Sequence, residues 1–421
     1  MSFTGLSAAF SGTGDMTSGL PLTAIVSELY EHDFVHQPFR YCLCARYSAR
    51  DLSAILPRNP IKPVNRFALV VMLVIPSLLL SACASSSGTS MSSSDDREFV
   101  YITNQGEATI NVIDVATNTV SEVIDLKELG FDEGAKPHHI AVEPGGDHWY
   151  VSLISAGRVL KFTRDNELVG QAEFEVPGLL ELDPSSDYLY VGRSMAAVNP
   201  PQRIGQIDTN TMEVEELEVF IPRPHALAVA PNGKFVYSAS LAENRMTIID
   251  IETGDTEFKD LDGPTHTLVD LQIAPDGKTM VAGGQLTAKF FFFDSEDQAG
   301  IPIEKIIDVD AAPWHPVFNR EGTRAYFANK MADKVTILNM ETMEVEAVIE
   351  GNGLAQPHGT ALSEDGRYLY VSNQNGNMAY TAEDGSHPGT VVIIDTESAE
   401  IVKVIEVGVL PSGAGSRPTW Q

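Results

Sequence analysis

Cysteine is nearly absent from this sequence: Cys42, Cys44 and Cys83 are all there is. His32, His36, Cys42 and Cys44 near the N-terminus lack the paired spacing of a zinc module. Cationic residues are also scarce, with 28 Lys and Arg against 58 Asp and Glu and a net charge of −30. A surface so acidic repels phosphate backbones, which excludes nucleic acid as a partner. No apolar run reaches the ~20 residues a membrane-spanning helix needs. No nucleophile elbow, P-loop or dinucleotide fingerprint stands in a strand-to-helix setting, so hydrolase and nucleotide roles lose support.

What is present near the N-terminus is a secretory pattern. Lys62 and Arg66 precede the apolar stretch Phe67 to Leu80, which ends in Leu80-Ser81-Ala82-Cys83. A basic flank, a short apolar run and small residues at a cleavage point make a signal peptide. The last four residues resemble the bacterial lipobox, and that resemblance implies a lipid on Cys83. Residues 64–82 are then the signal peptide, and 83–97 are a Ser-rich tether too polar to form a core. Residues 1–63 read as an extension upstream of the true start, with Val64 the first residue if its codon is GTG. The expected location is extracytoplasmic, on the envelope membrane through the lipid. Ala84 after the lipidated position resembles the outer-membrane class if the host is Gram-negative. Cleavage before Cys83 removes Cys42 and Cys44, so with Cys83 lipidated the mature protein has no thiol left for disulfides, and stability must come from a packed core.

From residue 98 on, the sequence repeats. In one unit Ala226 to Ala230 reads as a strand, Pro231-Asn232-Gly233 as a turn, Phe235 to Ala239 as a second strand and Met246 to Ile249 as a third. Asp250 to Gly254 then turns the chain toward a fourth. The order recurs from Pro137, Pro177, Pro313 and Pro357, and near Pro264 with four additional residues before its turn. About four short strands every ~40–50 residues is the signature of a propeller blade. Residues Glu98 to Leu126 supply a second, third and fourth strand without a first, and Val409 to Trp420 reads as that missing strand. The expectation is an all-β, seven-bladed β-propeller over 98–421, closed by pairing the N- and C-terminal strands, which removes open edges. Asp114, Asp208, Asp250, Asp294 and Asp395 recur at the third-strand turn, where Asp caps a hairpin, and Phe290 to Phe293 reads as a buried strand.

Tyr101-Ile102-Thr103-Asn104 with Asn111 to Asp114, and Tyr370-Val371-Ser372-Asn373 with Val391 to Asp395, resemble the repeat of the YVTN β-propeller family. The resemblance covers essentially all of 98–421 and implies the propeller fold. Its implied functions are broad, because the family and its relatives include lactonases, surface-layer components and redox enzymes.

Six of the ten histidines fall at or near the start of a blade's first strand: His138, His139, His225, His266, His315 and His358. First strands line a propeller's channel, so these residues are candidate metal ligands at its mouth, and imidazoles suit Cu, Zn, Fe or Ni. Arg203, Arg223 and Arg417 are candidates for holding an anionic ligand there. One expectation is an envelope-bound binding or interaction module whose partner is an envelope protein or a small molecule. A second is a copper-dependent oxidoreductase or metal carrier, since the histidine pattern with its adjacent pair resembles the propeller of nitrous oxide reductase. A third is a lactonase-like hydrolase, and the sequence alone leaves the three open.

Overall fold

The computed structural model describes residues 97–418. Cys83, the signal stretch and most of the tether lie outside the described residues, as does Trp420. Every regular element described is a strand. Twenty-eight strands, numbered β1 to β28 in chain order, form seven four-stranded antiparallel sheets.

One blade shows the local logic. Strands β12 (Pro224–Val229), β13 (Phe235–Ser240), β14 (Arg245–Asp250) and β15 (Thr256–Asp260) pair in that order. The first three are buried almost throughout, whereas β15 alternates between half-buried and exposed. Neighbouring blades cover the inner strands on both faces, which calls for continuous apolar runs, and leave the outer strand partly in water. Gly233, at φ 67°, makes the first turn, a conformation that costs glycine nothing sterically. Asp250 accepts the backbone N–H groups of Glu252 and Thr253 at 2.9 and 3.0 Å. Asp114, Asp208, Asp294 and Asp395 cap their own turns in the same way.

The phenylalanine run lies in β18 (Lys289–Asp294), with all four rings fully buried. The period of two sends alternate rings into two different blade interfaces. Phe291 and Phe293 pack with Tyr237 and Met246 of the preceding blade. Phe290 and Phe292 pack with Phe327 and Leu338 of the following one, and Phe290 stacks on Phe327 at 4.4 Å.

The ring closes as the sequence predicts. Strand β28 (Pro411–Ser416) pairs antiparallel with β1 (Phe99–Asn104), completing the sheet β28-β1-β2-β3. Two further contacts hold the ends: Glu98 accepts the N–H of Glu364, and Arg417 pairs with the Glu364 carboxylate.

A sevenfold feature at the foot of the blades was not visible in the repeat. The residue just before each inner strand has a left-handed backbone: Lys136, Val176, Arg223, Thr267, Ala312, Gln356 and Leu410, with φ between 49° and 58°. Each carbonyl accepts the N–H of the residue just past that blade's second strand, as Lys136 does from Ile154 at 3.0 Å and Gln356 from Gln374 at 3.1 Å. For β-branched Val176 and Thr267 this backbone costs on the order of 1–3 kcal/mol. Val176→Gly is therefore expected to stabilise the protein by about 0.5–1 kcal/mol in urea unfolding, the relieved strain outweighing the entropy glycine adds to the unfolded chain. An unchanged or lower midpoint counts against strain at this position.

Candidate functional site

Seven inner strands stand side by side around the axis: β4 (Pro137–Val142), β8 (Pro177–Leu182), β12, β16 (Leu268–Ile273), β20 (Pro313–Phe318), β24 (Pro357–Leu362) and β28. Side chains alternate along a strand, so the third and fifth residues of each share a face. The third positions supply His139, Asp270 and His315, and the fifth supply Glu181 and Gln272. Ala141, Gly359, Ala361, Gly413 and Gly415 fill other such positions with little or no side chain. The result is a cavity of about 600 Å³ lined by all of these residues. It reaches to the turn prolines Pro144, Pro184, Pro231 and Pro275 and to Arg417 at the rim. Gly413 also permits the ring to close tightly, since a Cβ there would meet the His138 carbonyl oxygen at 2.2 Å.

The floor of the cavity holds its titratable groups in unusual states. His139 Nδ1 lies 3.2 Å from the backbone N–H of Leu180, which can only donate, so Nδ1 accepts. Burial, and then His315 beside it, lowers the His139 pKa to about 3. The ring is therefore neutral, with its proton on Nε2. His315 Nδ1 lies 3.0 Å from Asp270 Oδ2, with both side chains buried. Burial pushes Asp270 well above the usual carboxylate range and lowers His315 to about 3. The pair thus shares one proton between Oδ2 and Nδ1 and carries no net charge. Glu181 is half-buried and lines the cavity. Burial first and Asp270 second raise its pKa to about 8, against a hydrogen bond from Gln272 that lowers it. At neutral pH an acidic protein thus keeps this floor uncharged.

Of the candidates named from sequence, His139, His315 and Arg417 line the cavity. His138, His225 and His358 occupy second positions, are buried, and are not part of its lining. His138 and His358 meet edge to face at 5.6 Å, and His358 stacks on His315 at 5.0 Å. Burial lowers all three pKa values. Beneath them Trp314 packs with Val269, Ala312 and Met195, and the Lys330 ammonium sits 4.0 Å above its ring.

His266 falls outside the ring. The inner strand of its blade begins at Leu268, not near Pro264, so the additional residues form a loop that carries His266 ahead of the strand. Its Nε2 donates to the Asp262 carbonyl and its Nδ1 accepts from Thr287, both at 2.9 Å. Arg203 belongs to a third strand, β10 (Arg203–Asp208), and pairs with Glu216 and Glu218. Arg223 precedes β12 at the foot and donates to the Met195 carbonyl.

The donor set bears on the copper expectation. Among the described residues no three His, Cys, Asp or Glu side chains are placed to hold a metal ion. His139, His225, His266 and His315 each commit a ring nitrogen to the protein. His266 commits both ring nitrogens and His139 keeps its proton on Nε2, so neither offers a metal a lone pair, whereas the Nε2 of His225 remains an acceptor. The sequence reading had no place for Glu181, Asp270 or Gln272, although acidic and amide residues inside otherwise apolar first strands were a visible signal.

The family described as "Lactonase, 7-bladed beta-propeller" matches residues 170–401. The uncharacterized protein YwhL of Bacillus subtilis (strain 168) is 26% identical over 340 residues, which cover 76% of this chain and 65% of that relative. Among solved structures, Kuenenia stuttgartiensis hydrazine synthase superposes with a TM-score of 0.54 at 19% identity, covering 66% of this chain and 88% of that one. The dihydro-heme d1 dehydrogenase NirN gives 0.53 at 13% identity, covering 75% and 74%. A streptogramin B lyase gives 0.54 at 12%, covering 76% and 91%. At these identities the structural likeness is one of fold.

Proposed function

The chain belongs to the seven-bladed β-propeller lactonase family, and from that premise we propose that its axial cavity opens small cyclic esters by acid–base chemistry. One observation carries the reading: Glu181, with a pKa raised to about 8, shares a semi-enclosed cavity with the neutral imidazoles of His139 and His315. A carboxyl tuned near the working pH is what a general base needs. Ionised Glu181 takes a proton from water as its oxygen attacks the lactone carbonyl. When the ring C–O bond breaks, the same proton passes to the leaving oxygen, and the products are a hydroxy acid and free base.

The pH dependence follows from the groups facing Glu181, which are Asp270 and Gln272 on β16 with His139 on β4 sharing the cavity. The uncharged Asp270 and histidines add no competing ionisation near neutrality. The kcat for a panel of γ- and δ-lactones is expected to rise about tenfold per pH unit below pH 8 and to level off above it. A profile flat from pH 6 to 9 removes Glu181 as the base. Absence of turnover across the panel removes the function.

A metal-holding role has less support. It rests on the Nδ1 atoms of His138 and His358, which are buried without a hydrogen-bond partner. Elemental analysis after exposure to copper, zinc and iron decides it, and sub-stoichiometric metal under all three ends it. We also propose that the propeller works outside the cytoplasm on a lipid at Cys83. Cys83→Ser should move the protein from the membrane to the soluble fraction.

A further inference from the structure

We propose that His139 and His315 act together as two neutral N–H donors that seat a single oxygen of an organic ligand. If the cavity opens lactones, that oxygen is the carbonyl oxygen that becomes the oxyanion, and in this respect the inference rests on the function proposed above.

The argument is one of tautomers. Leu180 N–H occupies the Nδ1 lone pair of His139, and a neutral imidazole with an accepting Nδ1 must carry its proton on Nε2. Asp270 faces Nδ1 of His315. Burial keeps the pair uncharged overall, and in that state, whether the proton they share sits on the oxygen or on the nitrogen, the His315 Nε2 remains an N–H. Both Nδ1 edges are thereby turned into the wall, and both rings line the cavity. Their centroids are 5.9 Å apart with the planes inclined at 45°. One oxygen can lie about 2.9 Å from both donors when the two Nε2 atoms are within about 5.8 Å of each other, and this ring spacing allows that, as an oxyanion hole requires. His225 has the opposite polarity, because its Nδ1 donates to the Arg193 carbonyl at 2.7 Å and its Nε2 is left an acceptor.

Two convergent donors select the ligand class. They favour a carbonyl or carboxylate oxygen and disfavour a cation. Above them Ile140, Leu182, Val317 and Leu362 line the cavity toward the proline rim, which suits a ligand with an apolar body behind its oxygen.

The experiment uses the full chain with ¹⁵N-labelled histidine. Long-range ¹H–¹⁵N correlation at pH 7 should show both His139 and His315 as Nε2–H tautomers, assigned through His139→Gln and His315→Gln. A Nδ1–H form for His139, or a His315 Nε2 without a proton, overturns the proposal. In parallel, sodium benzoate is titrated by calorimetry. His139→Leu should weaken binding about tenfold or more, while His139→Gln, which keeps an N–H at similar reach, should stay within about threefold. Equal losses in both variants, or no benzoate binding to the wild type at millimolar concentration, also overturn it. These readouts do not depend on turnover. An inactive lactone panel with both N–H groups and benzoate binding intact would reject the enzymatic function and keep the donor pair.

Discussion

Glu181→Gln will remove lactone opening and at the same time make the protein more stable. The loss of rate is expected to be about 10²–10⁴, the usual contribution of a positioned general base. The gain in stability follows from linkage. In the fold burial and Asp270 raise the Glu181 pKa from 4.5 to about 8, so between these values the folded state keeps a proton that the unfolded chain releases. Stability is therefore full below about pH 4.5, falls as pH rises through this window, and reaches its floor above pH 8. At pH 7 the cost is about 3 kcal/mol. Glutamine has nearly the same shape and no charge to lose, so the variant escapes the penalty. Urea unfolding should show a difference between the two proteins that is near zero at pH 4, grows toward pH 8 and then stays constant. A variant that is less stable at pH 8 would mean that Glu181 is held as a structural anion, and the catalytic reading would fail with it.

Ending the chain at Leu410 will abolish cooperative folding, although it removes only eleven residues. The inner edge of β1 would lose its partner, and the contacts of β28 with β4 and β24 would go with it. An exposed inner edge with apolar residues on both faces is an aggregation template. With a total stability of order 5–15 kcal/mol, a domain does not survive the loss of a buried strand and one blade interface. The remedy tests the cause. In the register, Val100 faces Ser416 and Asn104 faces Pro411, so the end of β28 lies beside the start of β1, as in the first hairpin of every other blade. A circular permutant that joins residue 418 to residue 97 through a short turn, with new termini after Leu410, should regain a single thermal transition near that of the parent. If the truncated chain unfolds cooperatively at the parent midpoint, strand exchange is not what closes this ring.

The legible and illegible parts of this molecule divide along a physical line. The blades could be read because their signals are local: turn glycines such as Gly233, Asp caps such as Asp250, and apolar runs such as Phe290 to Phe293 each act within a few residues. The closing strand could be read because seven units need seven first strands and one was missing. The histidines were noticed because they recur, but recurrence placed His138, His225 and His358 foremost, and these lie outside the cavity lining. His266 was misplaced because the four additional residues before that blade's turn can be counted in the sequence, but the pattern does not say whether they lengthen the strand or form a loop ahead of it.

The sequence by itself determined the propeller, its seven blades and the strand that closes it, since burial on both faces and tight turns leave such a chain few other folds. Only the tertiary structure decided the chemistry of the channel. Glu181, Asp270, His139 and His315 come from four different blades. Their protonation depends on which of them are buried together and on which neighbour takes each ring nitrogen. Those are properties of distances between residues far apart in the chain, and no periodicity along it records them.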